Sequence, residues 1–346
     1  GDHAFGDVDM RTISLPGSVT HIGKRAFENC IFLTNLVLPE NLIHIDEEAF
    51  YRALYAGHIT IPSSMTSIGD NAFKNSAIWS VDIPNTVTNI GKQAFANSFP
   101  GSPRKLVIPG SVKTIGEAAF AQCNMEGYVE IQEGVEVIDG YAFTECEFLK
   151  GVTLPNSLKY IGDFAFYNAR LTDLFIPNNV THIGHYAFFS CTWLTNVSLP
   201  PNLTLFGEGA FYACPELRSV TFRGDAPSIN TWHGWFDGLY LNEVNAYYYY
   251  GSKGWGTNLF EGGSYLIQQG LTLNELTWSP PIENAGVQNG SFQFSFANPD
   301  ILPVVVEASA DLVNWQPVWT NAYTASSTNF VDPEWTNYPI RFYRTR

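Results

Sequence analysis

The chain has 346 residues and a mass of 38.5 kDa, with 45% hydrophobic and 15% charged residues, enough apolar side chain for a continuous core and too much for wholesale disorder. Lys plus Arg number 18 against 33 Asp plus Glu, so the net charge is −15 with no basic run, which argues against nucleic acid as a partner. No apolar stretch approaches the roughly 18 residues that a membrane-spanning helix needs, so membrane insertion is not expected either.

The chain opens Gly1-Asp2-His3-Ala4-Phe5, without an initiator Met or a charged-then-apolar leader; a signal peptide, if one existed, is expected to have been removed already. Ala4-Phe5 is the first of ten Ala-Phe pairs, continuing at 26-27, 49-50, 72-73, 94-95, 119-120, 142-143, 165-166, 187-188 and 210-211, at spacings of 22 to 25 residues. An apolar-Pro pair tracks it, as in Leu15-Pro16, Ile61-Pro62 and Leu199-Pro200, with Ile131-Gln132 as the departure. A repeat of this length means an array of stacked units. In each unit an alternating V-x-L segment, such as Val197 and Leu199, predicts a short strand with those side chains inward, and the Pro ends it because it cannot donate to a ladder. Ile22, Ile45, Ile68, Ile90, Ile115, Ile138, Ile161 and Ile183 supply a second inward row. Gly23 and its equivalents are expected to take positive φ, with Asp46 and Asp139 replacing them. The Ala fits a tight corner and the Phe fills the interior of the coil, so successive Phe should be buried and stacked.

The pattern I/L-P-x-x-V/L-T-x-I-G-x-x-A-F-x-x-C-x-x-L resembles the BspA-like leucine-rich repeat family over residues 1 to about 222. The resemblance implies a bacterial secreted or cell-surface protein, associated with adhesion and protein binding rather than catalysis. It also implies that ligands meet the outward face of the main, concave sheet.

All five cysteines, Cys30, Cys123, Cys146, Cys191 and Cys214, lie three residues after the repeat Phe, where other units carry Ala53, Ser76, Ser98 and Ala169. That position calls for a small buried side chain. Ladder neighbours run parallel with β-carbons near 5 Å apart, longer than the roughly 3.8 Å a disulfide prefers, and no C-x-x-C pair marks a zinc site. The outward positions of the main strands include His58, Asp82, Lys105, Tyr128, Glu130, Asp173 and Phe175, a mixture of charge and exposed apolar surface that suits a protein or glycan partner on a host or neighbouring cell. The sixth repeat is acidic, with Glu130, Glu133, Glu136, Asp139, Glu145 and Glu147, but lacks an Asp-rich calcium loop. His182 and His185 flank one I-G turn without a metalloprotease motif. There is no nucleophile elbow, P-loop or dinucleotide fingerprint, so no catalytic residue, metal or cofactor is expected.

The repeat register breaks after Phe222, and seven of the nine Trp lie beyond residue 230. Residues 223–278, including Trp235-Phe236 and Gly254-Trp255-Gly256, read as an aromatic cap over the last coil, and resemble the terminal repeat of BspA-like proteins of Verrucomicrobia. Residues 283–346 alternate with turn signals such as Asn289-Gly290 and read as a small β-sandwich. The run from Glu307 to Trp315 and the closing Arg341-Phe342-Tyr343-Arg344 resemble a module of secreted Verrucomicrobial and Planctomycete proteins. The expectation is therefore a mainly β protein: a leucine-rich-repeat solenoid over 1–222, a cap, and a terminal sandwich. Its expected function is extracellular recognition or adhesion. The alternative is a structural subunit that assembles head to tail into a filament or surface layer, with Phe5 in the incomplete first coil as the assembly end.

Overall fold

The computed structural model describes residues 1–53, 57–100, 105–225 and 244–249, and, beyond these, the strands at 272–276, 282–288, 291–297, 305–309, 316–320, 327–332 and 342–345. All regular structure among the described residues is β. Two units are distinguished, Gly1–Asn274 and Glu275–Arg346.

The first unit is a parallel β-solenoid. Each coil contributes one main strand and one two-residue strand. Main strands such as Lys105–Ile108 and Tyr128–Ile131 pair in parallel with register Tyr128↔Lys105 and Ile131↔Ile108, which puts Val129 and Leu106 side by side in the interior. The second row is the sheet with the most strands among the described residues. Nine two-residue strands, from His21–Ile22 to Leu205–Phe206, stack in strict sequence, and their Ile or Phe side chains form an unbroken buried file. Strands this short can persist because each is one rung of a ladder continued by the next coil. Beyond Phe222 the main-strand sheet continues: Asn245–Tyr249 pairs in parallel with Ser219–Phe222, Thr272–Leu276 is the next strand in order, and Val244 and Ala246 are buried. The cap residues Trp235, Phe236, Gly254, Trp255 and Gly256 lie outside the described residues.

The repeat Phe form a single column through the core. Neighbouring rings from Phe5 to Phe211 stack with centroids 5.0 to 5.5 Å apart and planes within 9° of parallel. Phe120, Phe143 and Phe166 are fully buried, as the spacing required. From Phe5 to Phe188 each Phe N–H donates to the Ala carbonyl of the following coil, for example Phe120 N to Ala142 O at 2.9 Å, so the Ala-Phe corner is a hydrogen-bonded rung although it is not a strand.

The I-G glycines have a different role from the one expected. Positive φ falls two residues later, at Arg25, Glu48, Asn71, Gln93, Ala118, Tyr141, Phe164 and Tyr186, and again two residues after the Phe, as at Asn75, Asn97 and Gln122. The glycines serve close approach instead: a β-carbon on Gly69 would stand 2.7 Å from the Ile45 carbonyl oxygen of the preceding coil, whose acceptor its own N–H uses. Period and spacing could reveal that the corner needs a special residue, but not which constraint it answers.

The second unit contains two three-stranded antiparallel sheets. One is ordered Ile282–Gln288, Ser291–Ala297, Ser327–Asp332; the other is ordered Gln316–Thr320, Val305–Ser309, Phe342–Thr345. Phe330 in the first and Val306 in the second are buried.

Candidate binding surface

The main strands turn alternate side chains out of the solenoid, and the predicted binding residues fall into separate groups along that face. His58 lies between Ser80 and Asp82: Nδ1 is 2.7 Å from Ser80 Oγ and Nε2 is 3.0 Å from Asp82 Oδ2. The next group is centred on Tyr128. Lys105 Nζ lies 2.6 Å from Glu130 Oε2, and that hydrogen bond, with the lysine charge, holds the Glu130 carboxyl below its usual range. The Tyr128 ring rests over its ladder partner Gly151, where a β-carbon would come within 2.9 Å of it. Glycine thus lets the ring lie against the sheet on one side, and Tyr128 remains 60% exposed. Val37, further along the same face, is 70% exposed.

Toward the other end the face is filled. Asp173 accepts hydrogen bonds from Asn196 Nδ2 at 2.8 Å and Thr195 Oγ1 at 3.2 Å. Phe175 is half-buried under the Arg223 guanidinium, 4.1 Å from its ring centroid. Ser198 and Thr221, which alternation places outward, are buried. Phe175 is therefore a covered ring rather than the exposed anchor the sequence pattern implied, because an Arg two coils away in the chain reaches back over it. Phe5 stacks on Phe27 and is 41% exposed.

The acidic residues of the sixth repeat are engaged with neighbouring coils. Glu133 accepts from the N–H groups of Asn156 and Ser157, Glu136 pairs with Lys159 Nζ at 2.7 Å, Glu145 accepts from Gln122 and Glu147 from Asn168. His182 bonds Thr181 while His185 accepts from the Glu208 N–H, so the two do not converge. Among the described residues no three His, Cys, Asp or Glu are grouped to hold a metal ion.

The cysteines are buried and unpaired, and they do more than fill space. Each thiol points at the Phe carbonyl of the preceding coil, Cys123 to Phe95 at 3.1 Å and Cys146 to Phe120 at 3.2 Å, and Ser76 makes the same bond to Phe50 at 2.6 Å. The interchange of Cys and Ser at that position was the available signal that a donor, not only a small volume, is wanted. Burial pushes the Cys123 and Cys214 thiols up to about 12, and those of Cys146 and Cys191 well above their usual value, which makes them poor nucleophiles.

A second outward surface, at the Ala-Phe turns, escaped the sequence reading. Tyr141, Phe164 and Tyr186, each preceding the repeat Ala, stack at 5.0 and 5.1 Å. Tyr167, Phe189 and Tyr212, each following the repeat Phe, stack beside them at 5.2 Å, with edge contacts joining the columns. Aligning the repeats on Ala-Phe and reading the flanking columns would have exposed this run, since, Tyr51 apart, the same columns hold small or polar residues in earlier coils.

The BspA type leucine-rich repeat region matches in six copies over residues 1–126 and 113–233. No curated protein matches. A leucine-rich repeat protein from Bacteroides ovatus is 31% identical with a TM-score of 0.60, over 65% of this chain and 58% of its own. The chain thus spans little more than half the length of that structure. Pneumococcal vaccine antigen PcpA is 17% identical with a TM-score of 0.44, over 78% of this chain and 80% of its own. A leucine rich cell surface protein from Faecalibacterium prausnitzii is 20% identical with a TM-score of 0.35, over 67% and 83%.

Proposed function

The chain belongs to the BspA-type leucine-rich repeat family, and from that premise we propose that it is a secreted or cell-surface recognition protein that docks a protein partner on the outward face of its main strands. The observation that carries this reading is Tyr128, 60% exposed, flat against Gly151 and beside the Lys105–Glu130 ion pair. An aromatic ring already immobilised on one side loses little entropy on binding, and a charged pair at its edge can select a partner's register. No helix among the described residues is long and apolar enough to cross a membrane. The terminal unit fits a β-sandwich module whose role is to present or tether the solenoid. The test is a surface-plasmon-resonance panel of extracellular matrix proteins and glycoproteins against the wild-type chain and Tyr128→Ala. Retention of a matrix protein by the wild type, weakened more than tenfold by Tyr128→Ala with an unchanged melting curve, supports the reading. Unaltered affinity moves the site off this face.

A further inference from the structure

The aromatic columns of the turn face stop abruptly on one side. Tyr141 stacks on Phe164, but the same column in the preceding coil holds Ala118, and the flanking column holds Ala121 and, one coil earlier, Ala96. These three alanines form a small buried cluster of their own, the floor of a notch. An open depression of about 480 Å³ lies over them, bounded at one end by Tyr141 and Phe164 and along its rim by Asn75, Asn97, Gln122 and Glu145. Its size falls within the roughly 300–1,000 Å³ of small-molecule sites. A second depression, of about 490 Å³, shares Asn75 and Asn97 with the first and continues to Tyr51. From the coil of Tyr51 to that of Tyr141 is four rungs, or about 19 Å at the usual strand spacing.

The ring at the end of this trough occupies a position where the backbone disfavours it. Tyr141 has φ of 60°, and Phe164 and Tyr186 have 54° each, in a region where bulky residues are outliers. Elsewhere the same column holds Asn71, Ala118 and Gly209, so the scaffold does not require an aromatic there. The rings shield one another's faces within the stack, which leaves its two ends: Tyr186 lies over Gly209, whereas the Ala118-side face of Tyr141 meets the notch, and Tyr141 is 43% exposed. The rim is rich in amides. Asn97 Nδ2 donates to Asn75 Oδ1 at 2.8 Å and Gln122 Nε2 to Glu145 Oε2 at 2.6 Å, yet an amide has two N–H donors and two acceptor lone pairs, so capacity remains for a ligand. The charges nearby balance in sign: Lys92 pairs with Glu117 at 2.8 Å, while Lys74 and Glu145 are each bonded by a neutral amide, Gln93 Oε1 and Gln122 Nε2, both at 2.6 Å.

A bare ring face, an amide rim and compensated charge suit a flat, uncharged ligand bearing many hydroxyls and a face of C–H groups. We propose that this trough is a glycan-binding site, with a neutral pyranose ring stacked on Tyr141 and further sugar units running toward Tyr51. The site is distinct from the main-strand face and does not depend on the docking proposed there.

The probes are cellohexaose, maltohexaose, chitohexaose, mannohexaose and laminarihexaose, each titrated calorimetrically into the full chain up to millimolar concentration. At least one should bind. Tyr141→Ala should weaken that binding at least tenfold, whereas Tyr141→Phe, which keeps the ring face, should stay within about threefold. Ala118→Tyr should abolish binding by extending the ring stack into the notch, in a column where three later coils already hold an aromatic ring. Tyr128→Ala should leave it unchanged. Melting curves identify any variant that has unfolded; Tyr141→Phe and Ala118→Tyr keep the test decisive if Tyr141→Ala does. Absence of binding by every hexasaccharide overturns the proposal, as does binding that is indifferent to Ala118→Tyr. Protection of the trough by a protein partner instead of a sugar would overturn it equally.

Discussion

The guanidinium of Arg223 sits 4.1 Å from the ring centroid of Phe175 and fastens three coils together. Its Nε donates to Leu199 O at 3.0 Å, and its two terminal nitrogens donate to Asn178 Oδ1 and Ile176 O. Arg223 is only 5% exposed, so these bonds replace water around a charge. Arg223→Ala is expected to cost about 3 kcal/mol, the scale of hydrogen bonds from a buried charged group. Arg223→Lys should recover only part of it, because one compact ammonium cannot reach three acceptors spaced for the three nitrogens of a guanidinium. Urea denaturation checks both; coincident midpoints for the wild type and Arg223→Ala would contradict the role.

The same contact ranks the two aromatic residues of the main-strand face. Tyr128 is open and Phe175 is covered. Ala at Tyr128 is expected to lower partner affinity more than tenfold, and Ala at Phe175 by less than threefold. Equal losses would mean that the partner displaces Arg223.

The ring column predicts a steep cost for a single truncation. Phe143 lies between Phe120 at 5.5 Å and Phe166 at 5.2 Å with no solvent exposure. Phe143→Ala should cost roughly 3 to 5 kcal/mol, and Phe143→Leu less, since most of the volume is kept. An unchanged melting curve for Phe143→Ala would contradict the stack.

The buried thiols predict a loss of stability in alkali. Cys123 and Cys214 ionise at about 12 when folded, whereas an unfolded thiol does so near its ordinary value of roughly 8.5. Between those values the folded state holds more protons, so the contribution is intact below about pH 8.5 and is lost as pH rises toward 12. Cys123→Ser should keep the bond to the Phe95 carbonyl, as Ser76 keeps its bond to Phe50, and should flatten the decline measured from pH 8 to pH 10.5. A steeper decline in the variant would contradict the linkage. The five thiols should also resist alkylation until denaturant is added.

Much of this architecture was legible in the residues. Ten Ala-Phe pairs and a file of Ile give both inward rows, because a repeat that must stack has to present the same side chains at the same place. The φ pattern was not legible, since Asn, Gln, Arg, Tyr and Ala all occupy the left-handed positions and no residue type marks them. Alternation correctly turned Tyr128 outward but could not show that Arg223 covers Phe175, a contact between residues 48 positions apart. The turn-face trough depends on what two neighbouring coils lack, the bulk absent at Ala96, Ala118 and Ala121, and a motif search registers presence rather than absence.

Oxidative footprinting of the chain alone and with the matrix protein that the binding panel retains tests the central claim most directly. Hydroxyl radicals label exposed aromatics, and two Tyr on different faces report independently: Tyr128 on the main-strand face, and Tyr160 on the two-residue-strand face at 36% exposure. The account predicts that the partner protects Tyr128 and leaves Tyr160 labelled as before. Protection of Tyr160 with Tyr128 still reactive would contradict it.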